Sequence, residues 1–477
     1  MMKEYNSVSE PFLADVRAVV GDANVFTEPE KLEQYKTDEE YDPRRFRVPE
    51  AVVRPANAEE IAAVVKLCNK YNVPLTVRSG GTSLADGAIA VCGGIVLLME
   101  RLNKIIEMNT EAMYVVAEAG VRTVDIQKMA NEAGYLYAGD PCSAESCLIG
   151  GNLATNAGGS KAVRYGVTRN QVYSLEMVTP TGEIVEVGSR LKKCSTGYCM
   201  EQLVMGSEGT LGIITELTLK VIPAPKSVIS LIIPYENLED CIATVPQFFM
   251  HHLAPQALEF MEKEVVMDTE KFLGKQVYPK ELEGTEIGAY LLATFDGNSE
   301  EQLEDIIEQA SEVVLEAGAI DVLVADTPAL KKDAWAVRGA LLEAIEADTV
   351  LLDECDVVVP TNKIAEFLTY TKSLEAEADF RVKSFGHAGD GNLHIYTCSN
   401  DMEEGEFKKQ VAVFMDKVYA KATEFGGMIS GEHGIGHGKM DYLAESLGPV
   451  QMRIMEGVKE VFDPNMILNP GKICYKL

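Results

Sequence analysis

The amino-acid sequence predicts an α+β fold of more than one domain, and three observations support this prediction. Its 477 residues exceed what one core ordinarily organises, so two or three domains are expected. Strand-like runs alternate with amphipathic helical runs, and some neighbouring strand runs are joined by tight turns, which favours antiparallel sheets. From about Asp401 onward the pattern is mainly helical, apart from one glycine-rich loop. The expected order is therefore mixed units, then an antiparallel layer, then a helical segment.

The N-terminal part of the chain predicts helices, then strand–helix units, then strands. Residues 1–50 are expected to form helices with a polar connection that ends at DPRRFRVPE. The run AVVRPANAEEIAAVVKLCNKYNVPLTVRSGG predicts strand, helix and strand, with Asn57 as the helix N-cap. A second strand–helix unit spans Tyr114 to Gly134, after the strand GIVLLM. From Ser174 to Ile222 the alternation predicts strands, including a hairpin in LEMVTPTGEIVEV.

Pro223 and Pro225 mark the first expected domain boundary. Beyond it, a strand followed by a helix recurs three times and leads to a hairpin of RVKSFGH and NLHIYTC, which predicts an antiparallel sheet. The predicted division is residues 1–225, residues 226–415, and a C-terminal segment of residues 416–477 that completes the site.

Charge and hydropathy exclude several classes of partner. The net charge is −31, from 74 acidic and 43 basic residues, so nucleic acid and anionic membrane surfaces are disfavoured. The longest uncharged apolar run, Ala88 to Met99, is shorter than the ~20 residues of a membrane span. The N-terminus lacks the basic-then-apolar order of a signal peptide, which indicates a cytoplasmic protein. An anionic substrate would need a local positive group, such as an arginine or a metal ion.

The ten cysteines do not indicate a metal cluster. None forms C-x-x-C, and no run supplies the four close thiolates of an iron–sulfur cluster. Small buried thiols are the expected role.

Three glycine-rich stretches suggest a phosphate-binding surface: VRSGGTSLADGA, CLIGGNLATNAGGSKAVRYG and MGSEGTLGIIT. Glycine permits positive φ and close backbone approach, so such loops can present N–H groups to a diphosphate. A Walker A loop and the G-x-G-x-x-G of a Rossmann site are both missing from the sequence. Each stretch alone is also compatible with an ordinary turn.

Two of the six histidines flank a tight turn in GHAGDGNLH. In the second strand Leu393 and Ile395 share one face and His394 takes the other, so His387 and His394 can converge on one point. Imidazoles suit Zn²⁺ or Fe²⁺, and SGEHGIG offers a third ligand in Glu432 or His433. A hydrogen-bonded pair of core histidines is the alternative explanation.

The three glycine-rich stretches together, with R-P at Arg54–Pro55 and NPGK at Asn469 to Lys472, resemble the FAD-linked oxidase family, with a flavin domain of the vanillyl-alcohol oxidase/PCMH type. The resemblance covers about residues 45 to 475. It implies FAD held between two α+β subdomains, beside an antiparallel-sheet substrate (cap) domain. Thr82 stands where several relatives carry an FAD-linking histidine, which implies non-covalent FAD. The residues implied for cofactor binding are Arg78, Gly80, Gly81, Thr82, Ser83, Pro141, Ser143, Gly150, Gly151, Asn152, Thr155, Gly158, Gly159, Glu208, Gly209, Ile214 and Asn469.

GHAGDGNLH, GEHG and WAVRGALLEA also resemble the branch of this family that contains D-lactate, glycolate and D-2-hydroxyglutarate dehydrogenases. The resemblance implies that His387, His394 and Glu432 bind a divalent Zn, Fe or Mn ion, that His433 is the base, and that Arg338 clamps the substrate carboxylate. Without the resemblance, Arg338 would be taken for a solvated helix residue. Tyr396 stands where some relatives have a substrate-binding asparagine, which tilts the expected substrate toward a small monocarboxylate.

The implied activity is oxidation of a small D-2-hydroxyacid, D-lactate first, to a 2-oxo acid by hydride transfer to flavin. The implied electron acceptor is a protein such as electron-transferring flavoprotein, or a quinone, and the chain is expected to act as a homodimer or within a hetero-complex. Glycolate and D-2-hydroxyglutarate are alternative substrates. A metal-dependent hydrolase and a non-catalytic electron-transfer subunit are the rivals from other classes.

Overall fold

A computed structural model describes residues 3–39 and 45–474. The chain forms two compact units. The first unit contains Met1–Gly158, Gly166–Ala224 and Glu432–Leu477, and the second contains Gly159–Tyr165 and Pro225–Gly431. The chain thus passes from one unit to the other four times.

The elements before residue 225 alternate between short helices and strands. In chain order they are α1 (Glu10–Val20), β1 (Val25–Phe26), α2 (Pro29–Leu32), β2 (Ala51–Val53), α3 (Ala58–Tyr71), β3 (Leu75–Arg78), β4 (Ile95–Leu98), β5 (Ile105–Asn109), β6 (Tyr114–Glu118), α4 (Thr123–Glu132), β7 (Tyr135–Leu136), α5 (Ile149–Thr155), α6 (Ala162–Tyr165), β8 (Val172–Val178), β9 (Ile184–Gly188), α7 (Met200–Val204), β10 (Ile213–Lys220) and β11 (Ile222–Pro223).

Two sheets organise the first unit. One has the order β1-β2-β4-β3, in which β2, β4 and β3 run parallel and β1 is antiparallel at the edge. The other is antiparallel in the order β5-β6-β10-β8-β9. Asn57 caps α3 by accepting a hydrogen bond from the Glu60 N–H, as predicted. The short strand β1 was not predicted, and residues 40–44 of the predicted polar connection lie outside the described residues.

The elements after residue 225 begin with the long strands of the second unit. In chain order they are β12 (Ser227–Tyr235), α8 (Leu238–Ala243), α9 (Val245–Met250), β13 (Ala257–Glu262), α10 (Lys263–Leu273), β14 (Glu281–Leu282), β15 (Thr285–Glu286), β16 (Ala289–Gly297), α11 (Glu300–Glu316), β17 (Leu323–Ala325), α12 (Pro328–Gly339), α13 (Leu341–Ala347), β18 (Leu351–Val358), α14 (Ile364–Leu374), β19 (Arg381–His387), β20 (Asn392–Ser399), α15 (Glu404–Glu424) and, back in the first unit, α16 (Met440–Phe462), which is interrupted at Gly448.

One seven-stranded sheet, in the order β17-β12-β16-β13-β19-β20-β18, organises the second unit. Its paired strands are antiparallel throughout, which confirms the predicted α+β class with an antiparallel layer. One face buries an apolar cluster against α10, α12 and α13. The predicted boundary at 415/416 falls inside α15, and the compact unit continues to Gly431.

The residues after α16 return to the beginning of the first unit. Leu468 forms a parallel bridge with Leu75, and the backbone N–H of Asn469 donates to the Leu75 carbonyl at 2.8 Å. A buried ion pair between Lys459 and Asp463, at 2.6 Å, holds this return. Residues almost 400 positions apart thereby share one sheet edge.

Among the helices that the structure describes, a membrane-spanning helix is not found, because each is too short or too polar.

Candidate active site

The hairpin of β19 and β20 brings the two predicted histidines together. His387 pairs with Asn392 and Phe385 pairs with His394 across the hairpin, so both imidazoles leave the same face of the sheet. Their ring centroids are 5.5 Å apart, and the residues are 2 % and 4 % exposed. The turn depends on Gly391, whose φ is +86° and whose added Cβ would lie 2.0 Å from the Val359 carbonyl oxygen.

Glu259, from β13, holds His387 in place. The strand register places Glu259 on the same face, and its carboxylate lies 2.9 Å from His387 Nδ1. Glu259 is completely buried. Burial raises the pKa of its carboxyl, but the charges and hydrogen bonds of His387 and Arg338 outweigh burial and lower that pKa. The carboxylate therefore fixes the orientation of an imidazole, as the outer partners of metal-binding histidines do.

Arg338, from α12, shares this carboxylate. Its Nε donates to Glu259 Oε2 at 2.8 Å, and its guanidinium lies over the Phe385 ring at 5.0 Å from the centroid. The residue is 4 % exposed, so the alternative of a solvated helix residue is wrong. Helix α12 presents Arg338 to the sheet because Ala334 and Val337 bury the same side of the helix.

Two acidic residues of β18 face the same side of the sheet as the histidines. Asp356 is the register partner of His394, and Glu354 is the partner of Tyr396. Asp356 accepts hydrogen bonds from Ser430 Oγ at 2.7 Å and from the Gly431 N–H at 2.9 Å. A Glu354 carboxylate oxygen lies 3.9 Å from His394 Nδ1.

Sequence reasoning did not identify Glu259, Glu354 or Asp356. A signal was present, because each is an acidic residue inside a strand of otherwise mainly apolar sequence, ALEFME or LLDECDVV. Buried charges are normally paired or bound to a metal.

The donor set fits a divalent ion. His387 and His394 offer ligand atoms within 4.8 Å of one another, and Glu354 and His394 do the same. Nitrogen and carboxylate oxygen donors in this combination suit Zn²⁺ and Fe²⁺. Glu259 also supplies the carboxylate that commonly accepts a hydrogen bond from a metal-binding histidine in such centres.

Glu432 and His433 belong to the first unit and directly follow Gly431 in the chain. Both lie in a non-helical loop, as predicted from the glycines around them. In the first unit Glu432 lies against Gly158, whose added Cβ would be 2.6 Å from Glu432 Oε2. The predicted metal ligand is thus beside one of the predicted flavin-lining glycines. His437, the other histidine of this glycine-rich loop, has its Nδ1 2.8 Å from the Gly471 carbonyl oxygen.

The residues predicted to bind the cofactor lie in loops and short elements of the first unit, apart from Gly159, which begins the second. Arg78 ends β3, and Gly80, Gly81, Thr82 and Ser83 follow it. Pro141 and Ser143 precede α5, which contains Gly150, Gly151, Asn152 and Thr155, and Gly158 and Gly159 come after it. Glu208 and Gly209 precede Ile214 of β10, and Asn469 lies beside β3.

The glycine loops form a surface that fits a large polar cofactor. Gly81 has φ +74°, and its added Cβ would lie 2.3 Å from Arg78 Nη2; one on Gly151 would lie 2.8 Å from Ser79 Cβ. The buried Ser79 Oγ, Tyr137 OH and Ser207 Oγ have no hydrogen-bond partner within the part of the chain that the structure describes. Buried hydroxyls of this kind normally find one, and FAD offers many polar atoms.

Two of the predicted nucleotide contacts are engaged with the protein itself. The Glu208 carboxylate accepts hydrogen bonds from the Ile435 and Gly436 N–H groups, each at 2.7 Å. The Asn469 side chain accepts from the Val77 N–H and donates to the Glu208 carbonyl, each at 2.8 Å. Both side chains therefore shape the backbone, and any contact with a nucleotide stays a prediction.

Comparison with known families identifies both halves of the chain. Residues 49–188 match the family described as "FAD binding domain", and residues 224–473 match "FAD linked oxidases, C-terminal domain". The chain is 78 % identical over 429 residues to a protein of Anaerostipes hadrus named D-lactate dehydrogenase, covering 90 % of each. It is 34 % identical to a D-2-hydroxyglutarate dehydrogenase of Stutzerimonas stutzeri, covering 98 % of this chain and 99 % of the relative.

Among solved structures, p-cresol methylhydroxylase is similar in fold, with a TM-score of 0.80 at 17 % identity and 98 % of each chain covered. This likeness agrees with the PCMH-type fold expected from the glycine-rich stretches. Taken with the family matches and the sequence identities, it leads to one conclusion: the chain belongs to the FAD-linked oxidase family and is an FAD-dependent dehydrogenase.

Proposed function

We propose that this enzyme oxidises a small D-2-hydroxyacid, D-lactate first, to its 2-oxo acid, and that a divalent metal ion assists the reaction. The main observation in support is the buried His387–His394 pair, backed by Glu259 and accompanied by Arg338. The 78 % identity to a protein named D-lactate dehydrogenase supports the choice of substrate.

His387, His394 and Glu432 would hold the metal ion. Glu432 is included because it directly follows Gly431 in the chain. The Gly431 N–H donates to Asp356, which is the strand partner of His394. With its Nδ1 engaged by Glu259, His387 would offer Nε2 to the metal. When bound, a divalent ion supplies Lewis acidity that lowers the pKa of a hydroxyl group in contact with it.

Arg338 would bind the substrate carboxylate. Its pairing with Glu259 and its position over Phe385 hold the guanidinium in a fixed orientation, so little side-chain entropy is lost on binding. His433 would accept the proton from the substrate hydroxyl oxygen. When bound, FAD supplies the hydride acceptor.

We further propose that FAD is non-covalent, because Thr82 follows the paired glycines and the sequence has no histidine before His251. Electrons then leave for a protein acceptor such as electron-transferring flavoprotein, or for a quinone. Reoxidation of the substrate-reduced enzyme by each acceptor, followed by the return of flavin absorbance, distinguishes the two routes.

Anaerobic bleaching of the flavin band tests the proposal. D-lactate, L-lactate, glycolate and D-2-hydroxyglutarate are each added to the purified enzyme, with and without a chelator. We expect D-lactate to bleach the flavin fastest, the chelator to abolish bleaching, and Zn²⁺, Fe²⁺ or Mn²⁺ to restore it. A flavin that no hydroxyacid reduces would overturn the proposal.

A pair of histidine variants localises the effect. His394→Ala should lose both metal content and bleaching, whereas His252→Asn, in an exposed turn after α9, should keep both. Equal loss in the two variants would contradict the assignment of the metal to the hairpin.

A further inference from the structure

We infer that Glu354 determines substrate preference, by disfavouring 2-hydroxyacids that carry a second carboxylate. This inference rests on the proposed function, because it makes Glu354 the charged group that faces the end of the substrate away from its 2-hydroxyacid group. It concerns a residue beside the histidine pair whose carboxylate lies within ligand distance of His394 and to which the mechanism given above assigns no role.

The position of Glu354 is set by the register of β18. It pairs with Tyr396, and Lys383 pairs with Tyr396 from the other side, so all three side chains leave the face that carries His394. The Glu354 carboxylate lies 3.9 Å from His394 Nδ1, and its side chain is 15 % exposed. A negative charge therefore stands within a few ångströms of the proposed metal ligands and is not fully shielded by water.

Two cations that the described residues of the second unit place at this face of the sheet have acidic partners. Arg338 is paired with Glu259 at 2.6 Å, and Lys383 with Asp268 at 2.8 Å. A monocarboxylate needs only the Arg338 contact. A dicarboxylate of the size of D-2-hydroxyglutarate would bring its second negative charge near Glu354, where both of these described cations are already paired.

Unlike charges attract and like charges repel most strongly where water is scarce, as here. A specificity difference arises as readily from such a repulsive element as from an attractive one. We expect the effect on relative kcat/KM to be about 10- to 100-fold, which is typical of one close charge pair in a partly buried site.

The test uses Glu354→Gln in the full chain with FAD and metal bound. The rate of anaerobic flavin reduction is measured against concentration for D-lactate and for D-2-hydroxyglutarate. We expect the D-lactate to D-2-hydroxyglutarate ratio of kcat/KM to fall about 10- to 100-fold, mainly through a lower KM for the dicarboxylate. Glu354→Lys should lower the ratio further.

Asp353→Asn is the matched control. Asp353 is the neighbouring residue on the opposite face of β18, where it pairs with Lys408 at 3.2 Å. The Asp353→Asn variant removes the same charge from the same strand and should leave the kcat/KM ratio unchanged. Metal content, measured by elemental analysis, and melting temperature accompany each variant.

Several outcomes overturn the inference. If Glu354→Gln left the kcat/KM ratio unchanged, Glu354 would not select the substrate. The same would follow if Asp353→Asn changed the ratio equally. Loss of the metal from Glu354→Gln would make Glu354 a ligand instead. A wild-type enzyme reduced by D-2-hydroxyglutarate in preference to D-lactate would overturn this inference alone, whereas reduction by no hydroxyacid would overturn the proposed function itself.

Discussion

At the scale of single residues, the second unit contains one carboxylate that contacts two of the proposed site residues. Glu259 is completely buried and contacts both His387 and Arg338, so its charge is balanced inside the sheet. The lowered pKa of Glu259 means that it stays ionised in the folded protein despite its burial. One residue thereby orients a proposed metal ligand and the proposed substrate clamp.

Glu259→Gln keeps the shape of this side chain and removes its charge. We expect metal affinity or activity to fall about 10- to 100-fold, because the His387 orientation is less firmly held. Stability should fall by about 3–5 kcal/mol, because Arg338 remains buried without its counter-charge. Metal content, bleaching rate and urea unfolding measure these effects.

The matched control for that variant is Glu264→Gln. Glu264 pairs with the exposed Arg381, where an ion pair contributes about 0–1 kcal/mol. If both variants lost stability and metal equally, the special role of Glu259 would be refuted.

Lys472 gives a prediction about pH at the same scale. Burial lowers its pKa from 10.5 to about 8, although its ammonium donates to the Gly87 carbonyl. Between about pH 8 and pH 10.5 the unfolded chain keeps a proton that the folded protein has lost, so this group makes stability rise with pH across that window. In Lys472→Met this rise should disappear.

Urea unfolding of the wild type and of Lys472→Met at several pH values from 7 to 10 checks the expectation. The wild-type minus variant difference in unfolding free energy should increase as the pH rises above 8. Lys271→Met, at an exposed position of α10, provides the comparison. A difference that stays constant with pH would argue against a depressed Lys472 pKa.

At the scale of elements, the loop after β3 depends on one glycine. Gly81→Ala introduces a Cβ at φ +74° and 2.3 Å from the Arg78 guanidinium. We expect weaker FAD binding, seen as a lower ratio of flavin to protein absorbance. Gly197→Ala has similar backbone strain, at φ +81°, but its Cβ would meet nothing within 4 Å. Equal flavin loss in both variants would show that backbone strain alone, and not the cofactor loop, is responsible.

Elements with local signals were predictable from the sequence. The Asn57 cap and the apolar spacing after it predicted α3, and alternation with the Asp390–Gly391 turn predicted β19 and β20. The convergence of His387 and His394 followed from the same alternation. Asn392 is the strand partner of His387, and His394 lies two residues beyond Asn392, so the two histidines share a face.

Elements that depend on distant partners were not predictable. β1 has only two residues and exists because β2 pairs with it. The contact of Glu259 with His387 spans 128 residues, so no local pattern indicates it. The division at 431/432 likewise depends on contacts across the whole chain, whereas the predicted 415/416 boundary lies within α15.

At the scale of the whole molecule, each of the two units carries its own spectroscopic probe. Trp335, the single tryptophan of the sequence, lies in the second unit and donates to Ser230 Oγ at 3.2 Å. The glycine loops proposed to bind FAD lie in the first unit, apart from Gly159. A ligand that binds only the folded state raises the stability of the part that it binds.

We therefore expect excess FAD to raise the urea midpoint of flavin release and to leave the midpoint of Trp335 fluorescence unchanged. Titration at two FAD concentrations, with both signals recorded on one sample, makes the comparison. Equal shifts of both midpoints would mean that the units unfold as one cooperative body.

The pairing of the Leu75 strand with residues 467–469 also governs how the protein is made. The Val77 N–H donates to the side chain of Asn469, which is synthesised 392 residues later. At about 5–20 residues per second, that interval is about 20 to 80 s. Until residues 467–469 are made, the edge of β3 therefore lacks its final partner, although Pro225–Gly431, the longer segment of the second unit, is synthesised before them. A chain still attached to the ribosome should thus contain an incomplete first unit, and unpaired strand edges of this kind make a chain prone to aggregation.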